Sequence, residues 1–90
     1  MLLIQTVHIP AAGVEAFEAF EREVLPLLPR HGGVLERRLK TDDGCIEVHI
    51  VSFPSHEALE SYLVDPDRRR HLHLLHTSGA VAELLEVADA

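Results

Sequence analysis

Residues 34–53 read VLERRLKTDDGCIEVHIVSF, two alternating runs joined by Thr41-Asp42-Asp43-Gly44, a dense cluster of turn formers. The pattern predicts a β-hairpin with strands over 33–40 and 45–53. Two registers fit. With Asp43-Gly44 at the tip, Leu39 faces Val48 and Arg37 faces Ile50. With Asp42-Asp43 at the tip, Leu39 faces Ile46 and Leu35 faces Ile50. Either one puts Leu35, Leu39, Ile46, Val48 and Ile50 on one side of the sheet, and that apolar side is expected to face the core. The other side then carries Val34, Glu36, Arg38, Lys40, Cys45, Glu47, His49, Val51 and Phe53. A three-residue turn would set Leu39 against Glu47 and is set aside, because a one-residue slip exchanges the two faces.

Upstream of the hairpin, residues 2–9 are aliphatic and β-branched and stop at Pro10, which suits a first strand. From Gly13 the period lengthens. Val14, Phe17, Phe20, Val24 and Leu28 recur every three or four residues, and Glu15, Glu18, Glu21, Arg22 and Glu23 are assigned to the opposite side, as in an amphipathic helix. Pro26 should loosen its last turn, and Pro29 with Gly32-Gly33 should end it. Downstream, Ser55 is a good N-cap for a helix running to about Val64. Asp65-Pro66 restarts a helix that closes near Thr77-Ser78-Gly79. Residues 80–87 form a last strand.

The order strand–helix–strand–strand–helix–strand, with a right-handed first crossover, predicts one α+β domain over residues 1–90. It is a ferredoxin-like βαββαβ fold with an antiparallel sheet of order 4-1-3-2 and helices on one face. The uncovered face would then carry Val34, Val51 and Phe53, with either Val81, Leu85 and Val87 or Ala82 and Leu84. Such an apolar strip is more than a monomer usually shows to water, so a twofold sheet-to-sheet homodimer is expected.

Composition narrows the partners. Eight Lys and Arg stand against fifteen Asp and Glu, a net charge of −7, so no dominant basic face is available for nucleic acid or an anionic membrane. The first residues are apolar only briefly before Gln5 and His8, and no run approaches the roughly 20 apolar residues of a membrane span. Cys45 is the one cysteine, which excludes an intrachain disulfide and a paired-cysteine metal site. A reduced, cytoplasmic setting is expected.

The stretches VLPLLPRHGG (24–33), EVHIVSFPSHEA (47–58) and Asp65-Pro66 together resemble the dimeric α/β-barrel superfamily. Its small uncharacterised bacterial families are the nearest relatives, and the antibiotic-biosynthesis monooxygenases are more distant. The resemblance spans essentially the whole chain. It implies the fold and a dimer whose sheets face each other around a small-molecule pocket. It implies no single activity, because the superfamily holds oxygenases, isomerases, haem-handling enzymes and proteins without a known reaction.

Candidate chemistry centres on the polar residues of the hairpin. His49 beside Glu47 or Glu36 can act as a general base, the carboxylate fixing its tautomer, with Arg38 holding an anionic oxygen. The same residues also fit cross-strand ion pairs that tune an interface. Glu36, Phe53 and His8 complete the candidate substrate-binding set. His71, His73 and His76 do not form a metal site at helical spacing, since no i,i+4 pair or nearby carboxylate completes one. His31 fits the closing end of a helix. Arg68-Arg69-Arg70 is read as a solvated basic run, with reception of an anionic substrate at the barrel mouth as its alternative.

With no Asn and no Trp in the chain, the Asn–Trp–His set of haem-degrading relatives is excluded. Neither a phosphate-binding glycine loop nor a nucleophile elbow occurs, so no cofactor is expected. Two functions remain. One is a homodimer binding a small organic molecule between sheet and helices. The other is a cofactor-independent monooxygenase or isomerase; a non-catalytic interaction module stands behind both.

Overall fold

The computed structural model describes residues 1–90. Strand β1 (Leu2–His8) leads through a short 3-10 turn into helix α1 (Val14–Val24). A second 3-10 segment, Leu25–His31, follows directly. Pro26 and Pro29 explain the change: each removes an N–H that an α-helix would use, so the chain tightens instead of continuing. Gly32 then reverses it at φ 73°, a conformation that a side chain would strain.

Strands β2 (Val34–Lys40) and β3 (Ile46–Ser52) form the hairpin. Helix α2 (His56–Leu63) is capped by Ser55, whose hydroxyl accepts from the Ala58 N–H at 3.1 Å. Asp65 caps α3 (Pro66–Arg69) by accepting from the Asp67 N–H at 2.9 Å. The helix expected to run on from there breaks at Arg70-His71, and α4 (Leu72–Ser78) completes it before β4 (Val81–Val87). No helix is long and apolar enough to cross a membrane.

The sheet order is β2-β3-β1-β4, all neighbours antiparallel. This is the 4-1-3-2 ferredoxin-like arrangement. Near the hairpin tip, Lys40 lies opposite Glu47, Arg38 opposite His49 and Leu39 opposite Val48. That matches the register with Asp43-Gly44 at the turn, although the loop itself is wider: Thr41 pairs with Ile46 through its N–H at 3.0 Å. A bulge between Leu35 and Arg37 then shifts the pairing, so that Leu35 meets Val51 and Val34 meets Ser52. An extra residue in one strand reverses the alternation beyond it. Leu35 therefore joins the covered core and leaves the side that holds Leu39.

The faces of the sheet are opposite to the expectation. Leu3, Val7, Glu47, His49 and Phe53 are buried, whereas Leu39, Ile46, Val81 and Leu85 are exposed. Val51 and Phe53 pack inward with Leu3, Leu28 and Tyr62. The open side instead carries Leu2, Ile4, Val48 and Ile50 with Leu39, Ile46 and Val34, joined by Val81, Leu85 and Val87 through the β1 pairings. Alternation groups residues by side but does not say which side the helices cover. The richer apolar side was expected to be the protomer core, and here it is the side left open.

Helix α1 comes close to α4 at Gly13, where an added Cβ would overlap the backbone carbonyl of Ser78. Gly13→Ala is therefore expected to destabilise by about 1–3 kcal/mol. At roughly 4–8 °C per kcal/mol for a chain of this size, a thermal melt will resolve the loss.

Candidate active site

His49 and Glu47 stand two residues apart on β3, so both side chains point to the same side, beneath α1. Each is 1% exposed. Glu47 Oε1 accepts from His49 Nε2 at 2.8 Å. The same carboxylate accepts from Arg38 through Nε at 2.8 Å and Nη2 at 3.2 Å, a two-pronged contact from the neighbouring strand. Because an ionised carboxylate only accepts, the contact fixes the Nε2–H tautomer of neutral His49 and leaves Nδ1 as the basic nitrogen. No protein group bonds Nδ1. Burial alone would raise the Glu47 carboxyl, but hydrogen bonds from Arg38 and His49 bring it below the usual range.

His49 also forms part of the wall of a cavity of about 240 Å³ between the sheet and the helices. Its lining is mostly aliphatic and aromatic, including Leu3, Val7, Phe17, Leu28, Val51 and Phe53. Polar groups reach it at few points: Gln5, Glu21, His49, Tyr62 and Arg68. A concave, mostly apolar site with a few polar groups is the usual form of a small-ligand site.

The structure divides the expected site residues. Arg38, Glu47 and His49 lie together, though under the helices and not on the open sheet face. Only His49 of the three lines the cavity; Glu47 and Arg38 stand behind it. The role expected of Arg38, holding an anionic oxygen, does not fit this placement, since its Nε and Nη2 are engaged by Glu47 and its side chain borders a separate open groove. Phe53 lines the cavity. Glu36 and His8 lie on the other side of the sheet: Glu36 accepts from the Ser52 hydroxyl at 2.8 Å, and His8 is exposed opposite Ile46 and Val81.

The sequence reading does not place Glu21 at the cavity, and it brings in Arg68 only through the alternative given for the basic run. Glu21 was assigned to the polar side of α1, yet at about 100° per residue it lies only about 40° from Phe17 and about 60° from Val24. That spacing could have placed it on the buried stripe, and it is 6% exposed. Burial pushes its carboxyl up, and the Glu47 charge adds to this, while Arg38, Arg68 and the imidazolium form of His49 pull the other way. Arg68 belongs to the basic run read as solvated. Arg69 and Arg70 are exposed, but Arg68 turns inward over Tyr62 and Phe20. No sequence signal separates it from its neighbours.

The remaining histidines serve elsewhere. His31 donates to Asp65 at 2.7 Å, and Arg30 joins the same carboxylate at 3.1 Å, tying the 3-10 segment to α3. His71 lies 3.8 Å from Glu23, and His73 Nδ1 lies 3.1 Å from the Arg70 carbonyl. No group of three or more His, Cys, Asp or Glu side chains gathers closely enough to hold a metal.

The strand order, the helices packed on one face and the cavity between them define a ferredoxin-like α+β fold. No family model and no curated protein matches the sequence. Among solved structures, the chain is similar to SnoaB, a cofactor-independent oxygenase from Streptomyces nogalater, with a TM-score of 0.74 and 20% identity over 99% of this chain and 93% of that one. It is similar to a candidate antibiotic biosynthesis monooxygenase from Nitrosomonas europaea, with a TM-score of 0.74 and 12% identity over 97% and 98% of the two chains. A dimeric ferredoxin-like protein of unknown function from Jannaschia sp. CCS1 matches with a TM-score of 0.69 and 20% identity, over 97% of this chain and 100% of that one. At these identities the likeness establishes the fold.

The raised Glu21 carboxyl has a direct consequence for stability. Its proton is held more tightly in the folded chain than in the unfolded one, where a glutamate titrates near about 4.3. Folding stability therefore falls as pH rises from that region through the folded value. Glu21→Gln removes the ionisable group. Its melting temperature should exceed that of the parent by several degrees at pH 8, with the gain shrinking toward zero at pH 4.

Proposed function

We propose that the protein is a homodimer in which each protomer binds a small, mostly apolar organic molecule in its own cavity between sheet and helices. The mostly apolar, partly open cavity, with an oriented histidine in its wall, carries this reading. At about 240 Å³ it lies just below the roughly 300–1,000 Å³ of sites for drug-sized ligands, so the ligand is small. The dimer follows from the open side of the sheet. Val81 is 66% and Leu85 57% exposed in a single protomer, and a second copy of the same face is the self-complementary cover. The dimeric neighbour from Jannaschia supports the same assembly.

A second reading is favoured by the buried Arg38–Glu47–His49 chain. His49 Nδ1 then takes a proton from an acidic O–H or C–H of the bound molecule, and Glu47 stabilises the imidazolium that forms. This is the role a cofactor-independent oxygenase or isomerase needs, and the similarity to SnoaB supports it.

By light scattering at micromolar concentration the protein should have twice the protomer mass, and calorimetry should find one 1-naphthol bound per protomer. Ala82→Phe, which fills the cavity from β4, should abolish binding without loss of helical signal. A monomer, or binding insensitive to Ala82→Phe, contradicts the reading. For the catalytic alternative, oxygen uptake on a panel of naphthalenediols should fall by about 10²–10⁴-fold in His49→Ala, the usual contribution of a general base. Absence of uptake by the parent protein leaves binding as the function.

A further inference from the structure

We propose that the cavity receives a small apolar carboxylic acid as its anion, with the carboxylate seated on Arg68. This names the ligand class for the binding site above and rests on that reading.

Arg68 is a partly buried cation that makes no ion pair, although its charge acts on the Glu21 carboxyl and the Tyr62 hydroxyl. Its Nε is buried without a hydrogen-bond partner, the only such side-chain nitrogen or oxygen in the chain. The other arginines around it are matched: Arg30 reaches Asp65 and Asp67, Arg38 reaches Glu47, and Arg70 reaches Asp67. Arg68 forms no ion pair. Its guanidinium carbon sits 5.1 Å from the centre of the Tyr62 ring and 5.7 Å from that of Phe20, so two aromatic faces hold it at the cavity wall. Withdrawing a charged group from water is costly unless an opposite charge or hydrogen bonds replace the solvent. Nε lacks an acceptor, and the guanidinium borders the cavity.

The shape of the acceptor follows from the donor. A planar guanidinium matches a carboxylate through parallel N–H···O bonds. A phosphate monoester would carry further negative charge into a space walled mainly by Leu, Val and Phe, close to Glu21. Burial pushes the Glu21 carboxyl up, which favours its neutral form over a second negative charge beside the ligand. The remaining wall is apolar, so the rest of the ligand must be apolar too.

Calorimetric titration of the full chain at pH 7 with naphthalene-1-carboxylate and naphthalene-1-carboxamide tests the inference. The two probes share one skeleton and differ in charge. The carboxylate should bind tighter by about tenfold or more, the scale of a hydrogen bond to a charged group. Arg68→Gln should erase that preference while leaving amide binding unchanged, with the fold followed by circular dichroism. The parent comparison needs no variant, so it decides the matter even where Arg68→Gln fails to fold. Equal or tighter binding of the amide by the parent protein overturns this inference alone. Binding of neither probe overturns both this inference and the cavity reading.

Discussion

A carboxylate buried between two strands and a helix organises much of this protein. Glu47 is almost wholly withdrawn from water, and an unpaired charge in that position would be strongly destabilising. Arg38 answers it with two N–H donors from β2, and His49 adds a third from β3, the strand that carries Glu47. The match requires Arg38 to sit diagonally across from Glu47 on the helix side, so the ion pair holds the hairpin to one register. It also fixes the tautomer of His49 and, through its negative charge, helps to push Glu21 toward its neutral form. Register, histidine chemistry and the polar edge of the cavity are thus linked through one side chain.

The two faces of the sheet divide the work. The inner face combines aromatic and aliphatic packing with the buried polar chain, and leaves a cavity where α1, α2 and α4 do not fully close over β1 and β4. The outer face is the more uniformly apolar one. In the proposed dimer it becomes a second hydrophobic core, which explains why a ninety-residue chain places Leu39, Ile46 and Leu85 toward solvent when a protomer is considered alone. Ligand and partner then use opposite sides of one sheet.

The cavity presents two polar poles of different character. At one, His49 offers a basic nitrogen backed by Glu47 and Arg38. Elsewhere in the cavity wall, Arg68 offers a positive charge that acts on Glu21 but is engaged by no ion pair in the chain. A molecule that touches both would be held by its charge and approached by a base, an arrangement suited to proton removal. The proposed ligand class and the catalytic alternative are therefore compatible, while each stands on its own residues.

Elements, caps and strand order were legible in the sequence because they depend on neighbours along the chain. Ser55 and Asp65-Pro66 mark helix starts by local hydrogen bonding, Pro26 and Pro29 tighten a helix by removing donors, and Thr41–Gly44 turns the hairpin. The grouping of Arg38, Glu47 and His49 on one side was legible for the same reason, since alternation is a property of the strand. Which side the helices cover was not. Alternation is unchanged when two faces are exchanged, and the more apolar face indicates the protomer core only if the protomer is the whole assembly. The bulge at Glu36 moved Val34, Leu35 and Glu36 across the sheet, and no residue type there announces it. The inward turn of Arg68, one of three consecutive arginines, depends on where Tyr62 and Phe20 meet across two helices. The hairpin sequence thus determined which residues lie together, and only the tertiary structure decided that they lie beneath the helices, because burial is set by contacts between distant parts of the chain.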